Sequence, residues 1–226
     1  MVERRRRRRN TGRGVLPAAW NQMTKWIRKI PAAWLLLAVL NLSVVAAEYE
    51  PREGDVVFQS LGGAPLKELI EGATESKFSH CGMVVRRSGQ WMVIEAVGPV
   101  REITLRSWIS RGVKGDFAAF RLDQSYVEKI PAMVAEARKF LGRPYDFQFR
   151  FDDEKIYCSE LIFKAFLNVT GEMLGRVRKV RELKWEHYRA YIEKLEGGPV
   201  PLDRELITPR DLSEAWQLHL VFRPDA

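Results

Sequence analysis

The stretch that most restricts the fold is 79–97. Ser79 to Val85 and Trp91 to Val97 are two β-rich runs separated by a polar link containing Gly89, the pattern of an antiparallel hairpin. Successive side chains on a strand point to opposite faces, so His80, Gly82 and Val84 share one face. A two-residue turn at Ser88-Gly89 makes paired residue numbers sum to 177. His80 then faces Val97, with Glu95 its diagonal neighbour on the same face. A three-residue loop would instead put Glu95 on the face of Cys81. Both registers are open to the sequence.

Around the hairpin the chain reads as short alternating elements. Asp55 to Gln59, Pro99 to Leu105, Phe117 to Leu122 and Gln217 to Phe222 are strand candidates. Pro65 to Glu71 is a brief helix, and Leu105 to Ser110 is a turn of helix. Tyr126 to Leu141 is the best amphipathic helix, with Ile130, Val134, Ala137, Phe140 and Leu141 on one face. A loop rich in aromatics and acids, Tyr145 to Lys155, leads to a helix from Cys158 to about Asn168, stopped by Gly171. Residues 176–196 are highly charged and read as an exposed helical excursion closed by Gly197-Gly198-Pro199. Thr208-Pro209 marks a last helix start. With no repeat and no low-complexity linker after residue 50, residues 48–226 are one α+β domain.

The formal charge of +8 is concentrated at the start of the chain. Residues 1–47 hold ten Lys/Arg and one acidic residue, leaving 37 − 10 = 27 basic against 29 − 1 = 28 acidic in residues 48–226. The domain is nearly neutral, and the arginine run Arg4 to Arg9 is not a basic face, so nucleic acid is not an expected partner. Residues 32–47 are apolar, follow Lys25, Arg28 and Lys29, and end in small residues, the pattern of a secretory signal peptide. The alternative is an uncleaved N-terminal membrane anchor. Either way the domain is expected to be exported. Arg4 to Arg9 lies too far upstream for an ordinary leader, so Met23 is the expected translation start, with cleavage after Ala46 or Ala47.

Cys158 is the candidate nucleophile. At a helix start it sits among unpaired N–H groups and the positive end of the helix dipole, both of which favour thiolate. Such a cysteine needs a base, and the chain has three histidines. His187 lies in the charged excursion and His219 in the last strand, both surface positions. His80 lies in an apolar strand. Glu95, the only charged residue of its own strand, must be exposed or paired, and His80 is its natural partner. Two cysteines in an exported chain also allow a structural disulfide, Cys81–Cys158, in a non-catalytic module.

The blocks Gly54-Asp55-Val56-Val57-Phe58, Ser79-His80-Cys81-Gly82, Glu95-Ala96, Gly142-Arg143-Pro144-Tyr145-Asp146 and Tyr157-Cys158-Ser159-Glu160-Leu161 resemble the permuted papain-like cysteine hydrolases of the YiiX/YaeF type. These are relatives of the NlpC-type cell-wall peptidases and of lecithin–retinol acyltransferase. In the unpermuted order the Cys-Ser-x-Leu block precedes the Gly-Asp strand and the histidine; here the order is rotated. The resemblance covers about residues 51–222, including Thr208-Pro209-Arg210-Asp211-Leu212. It implies a circularly permuted papain-like fold, α+β, with an antiparallel sheet packed against the cysteine-bearing helix. It also implies Cys158 as nucleophile, His80 as base and Glu95 as the orienting third residue. Tyr145 falls where the family places a tyrosine near the site, as an oxyanion donor or an aromatic wall. Ser159 is a further oxyanion or pocket candidate.

The chemistry expected is that of an exported cysteine amidase or peptidase working through a Cys158 thioester, with cell-wall peptides as the leading substrate. The alternative is a lipid-directed thiol acyl hydrolase or acyltransferase. No cofactor is expected, nor a metal, since no Cys/His cluster has ligand spacing. Cys81 should point away from His80 into the core. Residues 172–205 carry no motif.

Overall fold

The hairpin takes the first of the two registers. Met83 pairs with Ile94 and Arg87 with Gln90, each pair summing to 177. Ser88 (φ 48°) and Gly89 (φ 82°) both adopt the left-handed backbone, which a two-residue turn needs if its twist is to match the strands. The structure is a computed structural model that describes residues 49–224. The expectations for the leader, the signal peptide or anchor and the Met23 start fall on residues 1–47 and lie outside the described residues.

In chain order the elements are β1 (Val56–Gln59), α1 (Pro65–Thr74), β2 (His80–Arg87), β3 (Gln90–Glu95), β4 (Arg101–Thr104), α2 (Leu105–Ser110) and β5 (Ala118–Leu122). There follow α3 (Ile130–Lys139), α4 (Cys158–Thr170), β6 (Arg178–Lys179), α5 (Arg189–Glu196), β7 (Glu205–Leu206), α6 (Pro209–Ser213) and β8 (Leu218–Phe222). Six strands form one sheet in the order β4-β3-β2-β1-β5-β8, antiparallel throughout. β6 and β7 form a separate ribbon.

Alternation divides the sheet's side chains between two cores. Val56, Phe58, Cys81, Met83, Val85 and Ile94 form one core with residues of α3 and α4 such as Met133, Ala137, Leu161 and Ala165. Val57, Val84 and Val93 pack with Trp108 of α2 and Phe117 in the other. Both faces are thus covered, which is why β2 reads as an almost unbroken apolar run. α4 is anchored by a buried apolar stripe that includes Leu161, Ile162 and Phe166, and its C-cap is Gly171. No helix among the described residues is long and apolar enough to cross a membrane.

Two expectations need correction. The helix expected over Tyr126–Leu141 starts as a 3-10 segment, Gln124–Lys129, and becomes α-helical only at Ile130. Pro131, which lacks an N–H, is tolerated in a first turn but not in a helix interior. Leu141, expected on the buried face, lies past the helix end and is 44% exposed, while Met133 is fully buried. The charged excursion is not a single exposed helix. It comprises β6, two 3-10 turns and α5, and it is seated on α1: a Cβ on Gly72 would lie 1.7 Å from the Tyr188 hydroxyl. Only glycine allows that approach.

Candidate active site

Cys158 is the first residue of α4, and its side chain is only 2% exposed. The loop before it is pinned by short-range hydrogen bonds. Ile156 N–H donates to the Pro144 carbonyl at 3.0 Å, and Asp146 N–H donates to the Ile156 carbonyl at 3.3 Å. Asp146, itself buried, accepts from the Gln148 and Arg150 amides at 2.9 and 2.5 Å. This pairing aligns Tyr145 with Ile156 and sets Tyr145 beside Cys158. Burial and the neighbouring Cys158 push the Tyr145 hydroxyl well above its usual range, so it is a neutral O–H donor at physiological pH.

His80 opens β2 and is 2% exposed. Its Nε2 lies 2.7 Å from Glu95 Oε2, and its ring stacks with Trp108 at 6.0 Å between centroids. With Nε2 engaged by the carboxylate, Nδ1 is the nitrogen left for the Cys158 sulfur. The aligned hydrogen bond of the ring is the one to Glu95; Cys158 acts by proximity and charge, a looseness usual in an unliganded site. Burial alone would lower the His80 pKa, but Cys158 and Glu95 outweigh it and push it up to about 9.

Glu95 is fully buried at the end of β3. Besides His80 it accepts from Arg101 Nε at 3.1 Å and from Arg111 Nη2. Burial would raise its pKa, but His80 and Arg111 hold it below the usual carboxylate range. Gly82 lies on the same face, where any side chain would strike the neighbouring strand. A Cβ there would meet Val93 Cγ1 at 2.4 Å and the Ile94 carbonyl at 2.9 Å, with the Glu95 Cβ at 3.5 Å. The glycine lets β3 approach closely enough for Glu95 to reach His80.

The structure therefore brings Cys158, His80, Glu95 and Tyr145 together. His187 and His219 are elsewhere and exposed, the latter 3.2 Å from Asp123. Ser159 stands beside Cys158, but its hydroxyl donates to the Ile207 carbonyl at 2.8 Å, so only its backbone N–H faces outward from the helix start. Cys81 points away from His80 into the first core, as alternation requires, yet that core contains Cys158. Both cysteines are free thiols. The neighbouring Cys81 leads the influences that hold the Cys158 pKa well below that of an ordinary thiol; burial opposes it, and His80 adds to it. Cys81 itself is raised, by burial first and then by Cys158.

Three features escaped the sequence: the Arg101–Arg111 clamp on Glu95, the Trp108 platform under His80, and a cavity beside Cys158. A buried carboxylate must be balanced, so Arg101 at the start of β4 and Arg111 just after α2 were the available signal. The enclosed part of the cavity measures about 80 Å³, and the figure reaches about 730 Å³ only with the open solvent at its mouth included. Its lining includes Cys158 and Ser159, Leu69 and Ala73 of α1, and Ile192 and Leu195 of α5. The motifless stretch is thus one wall of the pocket.

An antiparallel sheet bearing a histidine, packed on a later helix that opens with a cysteine, defines a permuted papain-like enzyme. Residues 50–222 match the family of permuted papain-like amidase enzymes, YaeF/YiiX, C92 family, and the chain belongs to that family. It is 34% identical over 190 residues to the uncharacterized protein YiiX of Escherichia coli strain K12, covering 83% of this chain and 94% of that one. A crystal structure of YiiX from Escherichia coli O157:H7, described as a metalloprotein, superposes with a TM-score of 0.73 at 33% identity, over 77% of this chain and 98% of that one.

Proposed function

We propose that this chain is a thiol hydrolase that cleaves an acyl-amide bond, with Cys158 as nucleophile, His80 as acid–base and Glu95 as the group that orients and charges the imidazole. The observation that carries the reading is a single chain of contacts: a buried cysteine at a helix start, a buried histidine beside it, and a buried glutamate 2.7 Å from the far nitrogen of that histidine.

The Cys158 thiolate forms the S–C bond to the acyl carbon, and the carbonyl oxygen takes the negative charge. The Cys158 and Ser159 N–H groups at the start of α4, with the Tyr145 hydroxyl, are the donors that hold it. The His80 imidazolium passes its Nδ1 proton to the leaving nitrogen as the C–N bond breaks. The neutral ring then takes a proton from water, whose oxygen attacks the thioester and releases the acid and Cys158. Glu95, clamped by two arginines, keeps Nε2–H pointed at itself throughout.

The solved relative is described as a metalloprotein. Among the described residues no group of three or more His, Cys, Asp or Glu side chains is placed to hold a metal ion. Glu95 is already taken by His80 and two arginines. The donor set does not fit, and no step is routed through a metal. The test of the reading is intact-mass detection of an acyl adduct on Cys158, absent in Cys158→Ala and lost or slowed in His80→Ala. Export of the domain, read from residues 1–47, is part of the same proposal.

A further inference from the structure

We propose that Gln59 is a positioning residue for the second half of the reaction, its side-chain amide holding the water that His80 deprotonates to hydrolyse the Cys158 thioester. The proposal rests on the thiol-hydrolase reading above and deepens it by naming where that water is held.

Gln59 ends β1 and is paired with His80 across the sheet. The Ser79 N–H donates to the Gln59 carbonyl at 3.1 Å, so the two strands stay joined up to that point. Directly opposed residues point to the same face. The Gln59 side chain therefore stands beside the imidazole, on the face where Trp108 stacks against it. The amide is turned towards Gly112, since a Cβ on that glycine would lie 2.6 Å from Gln59 Oε1. Gly112 follows Arg111, which holds Glu95. Gln59, Trp108 and Arg111 thus gather around the His80–Glu95 pair on one face of the sheet.

That face keeps hydrogen-bonding capacity that the protein does not use. Gln59 is 1% exposed, yet neither its Oε1 nor its Nε2 has a partner in the protein. The same holds for Trp108 Nε1 and Arg111 Nε. Burying an amide with both ends unpaired is costly, and a Met of similar size would avoid the cost. Three donors and one acceptor suit water, which both gives and takes hydrogen bonds. Gln59 also lines a groove with Ser60, Lys77 and Asp116. Lys77 and Asp116 are exposed, so the groove is wet and leads water towards the amide.

Hydrolysis needs one water at this place. Once the amine has left, His80 Nδ1 carries no proton. The water passes one proton to Nδ1 while its oxygen bonds to the thioester carbon; the C–S bond then breaks, the acid leaves and Cys158 returns as thiolate. Gln59 Oε1 accepts the water's other hydrogen and so fixes which way the oxygen faces. Acylation consumes no water, so the amide acts in the second half alone.

The test uses the full chain and p-nitrophenyl butyrate, an activated ester whose acylation outruns release of the acyl group. Stopped-flow gives a burst of p-nitrophenol for acylation and a steady rate for hydrolysis of acyl-Cys158, and intact mass gives the amount of acyl-enzyme. Gln59→Met keeps the length of the side chain and removes the amide. It should lower the ratio of steady rate to burst rate by about tenfold, the loss of one hydrogen bond made in that step, with acyl-Cys158 accumulating. Gln59→Asn keeps the amide but draws it back, should lower the same ratio by less, and serves if the Met chain does not fold. An unchanged ratio, whether both rates fall together or neither moves, makes Gln59 a packing residue only; it overturns the proposal and leaves the thiol-hydrolase reading intact. Absence of any Cys158 adduct on the wild-type chain overturns both.

Discussion

The residues at the site are tuned by their neighbours more than by their own chemistry. Cys158 ionises easily because Cys81 and His80 both stabilise the sulfur against the opposing effect of burial. His80 holds its proton because Cys158 and Glu95 overcome the desolvation that would strip it. The reactive form is the thiolate–imidazolium pair. It is lost as pH falls through the lowered thiol pKa, and lost again as pH rises through the His80 value of about 9. The kcat/KM profile should therefore be bell-shaped with its basic limb near pH 9, and a basic limb near the ordinary histidine value would contradict the pairing. Cys81→Ala removes the leading stabiliser of the thiolate, so the pH midpoint for alkylation of Cys158 by iodoacetamide should move upward; an unchanged midpoint would show that Cys81 only packs. Glu95→Gln should lower kcat/KM by about a hundredfold, since an amide cannot stabilise the imidazolium. Cys158, His80 and Glu95 were legible in the sequence because a polar side chain in an apolar strand, or a cysteine at a helix start, demands an explanation. Arg111, Trp108 and the nearness of Cys81 to Cys158 were not, because each depends on how separate elements pack.

At the scale of elements, two glycines decide whether the site closes. Gly82→Ala would drive a methyl group into Val93 and the Ile94 carbonyl, in a place where neither backbone can yield freely. It should cost about 1–3 kcal/mol in urea unfolding, and it should lower activity beyond that loss because Glu95 moves with β3. Gly72→Ala would unseat Tyr188 and with it the segment that forms the cavity wall. Amide exchange over residues 180–196 should rise while the sheet stays protected; uniform protection would mean that the segment is held by other contacts. The hairpin, the helix at Cys158 and the helix over Leu105–Ser110 could be read from alternation, from periodicity and from the residues that start and stop helices. The segment 172–205 could not. Its apolar residues are divided between the core, where Leu174 and Val177 pack, and the cavity wall, lined by Ile192 and Leu195, so no regular period marks them.

For the whole molecule, the permuted order has a mechanical consequence. The histidine and glutamate come from the hairpin early in the domain, and the cysteine from a helix more than sixty residues later, so the site exists only when the sheet and α4 have packed. The domain's neutrality and its early basic segment are separate matters. The signal-peptide reading of residues 32–47 predicts that N-terminal sequencing of the exported protein finds Ala47 or Glu48 first, whereas a chain that keeps Trp34 to Val45 would be the anchored form. The central claim is that Cys158 carries the acyl group. Incubation of the full chain with an N-acyl p-nitroanilide, followed by intact-mass and peptide mapping, tests it most directly. The account predicts a thioester on Cys158 of the wild-type chain, none in Cys158→Ala, and accumulation that depends on His80. Turnover of the same substrate by the Cys158→Ala chain, or an adduct confined to Cys81, would contradict it.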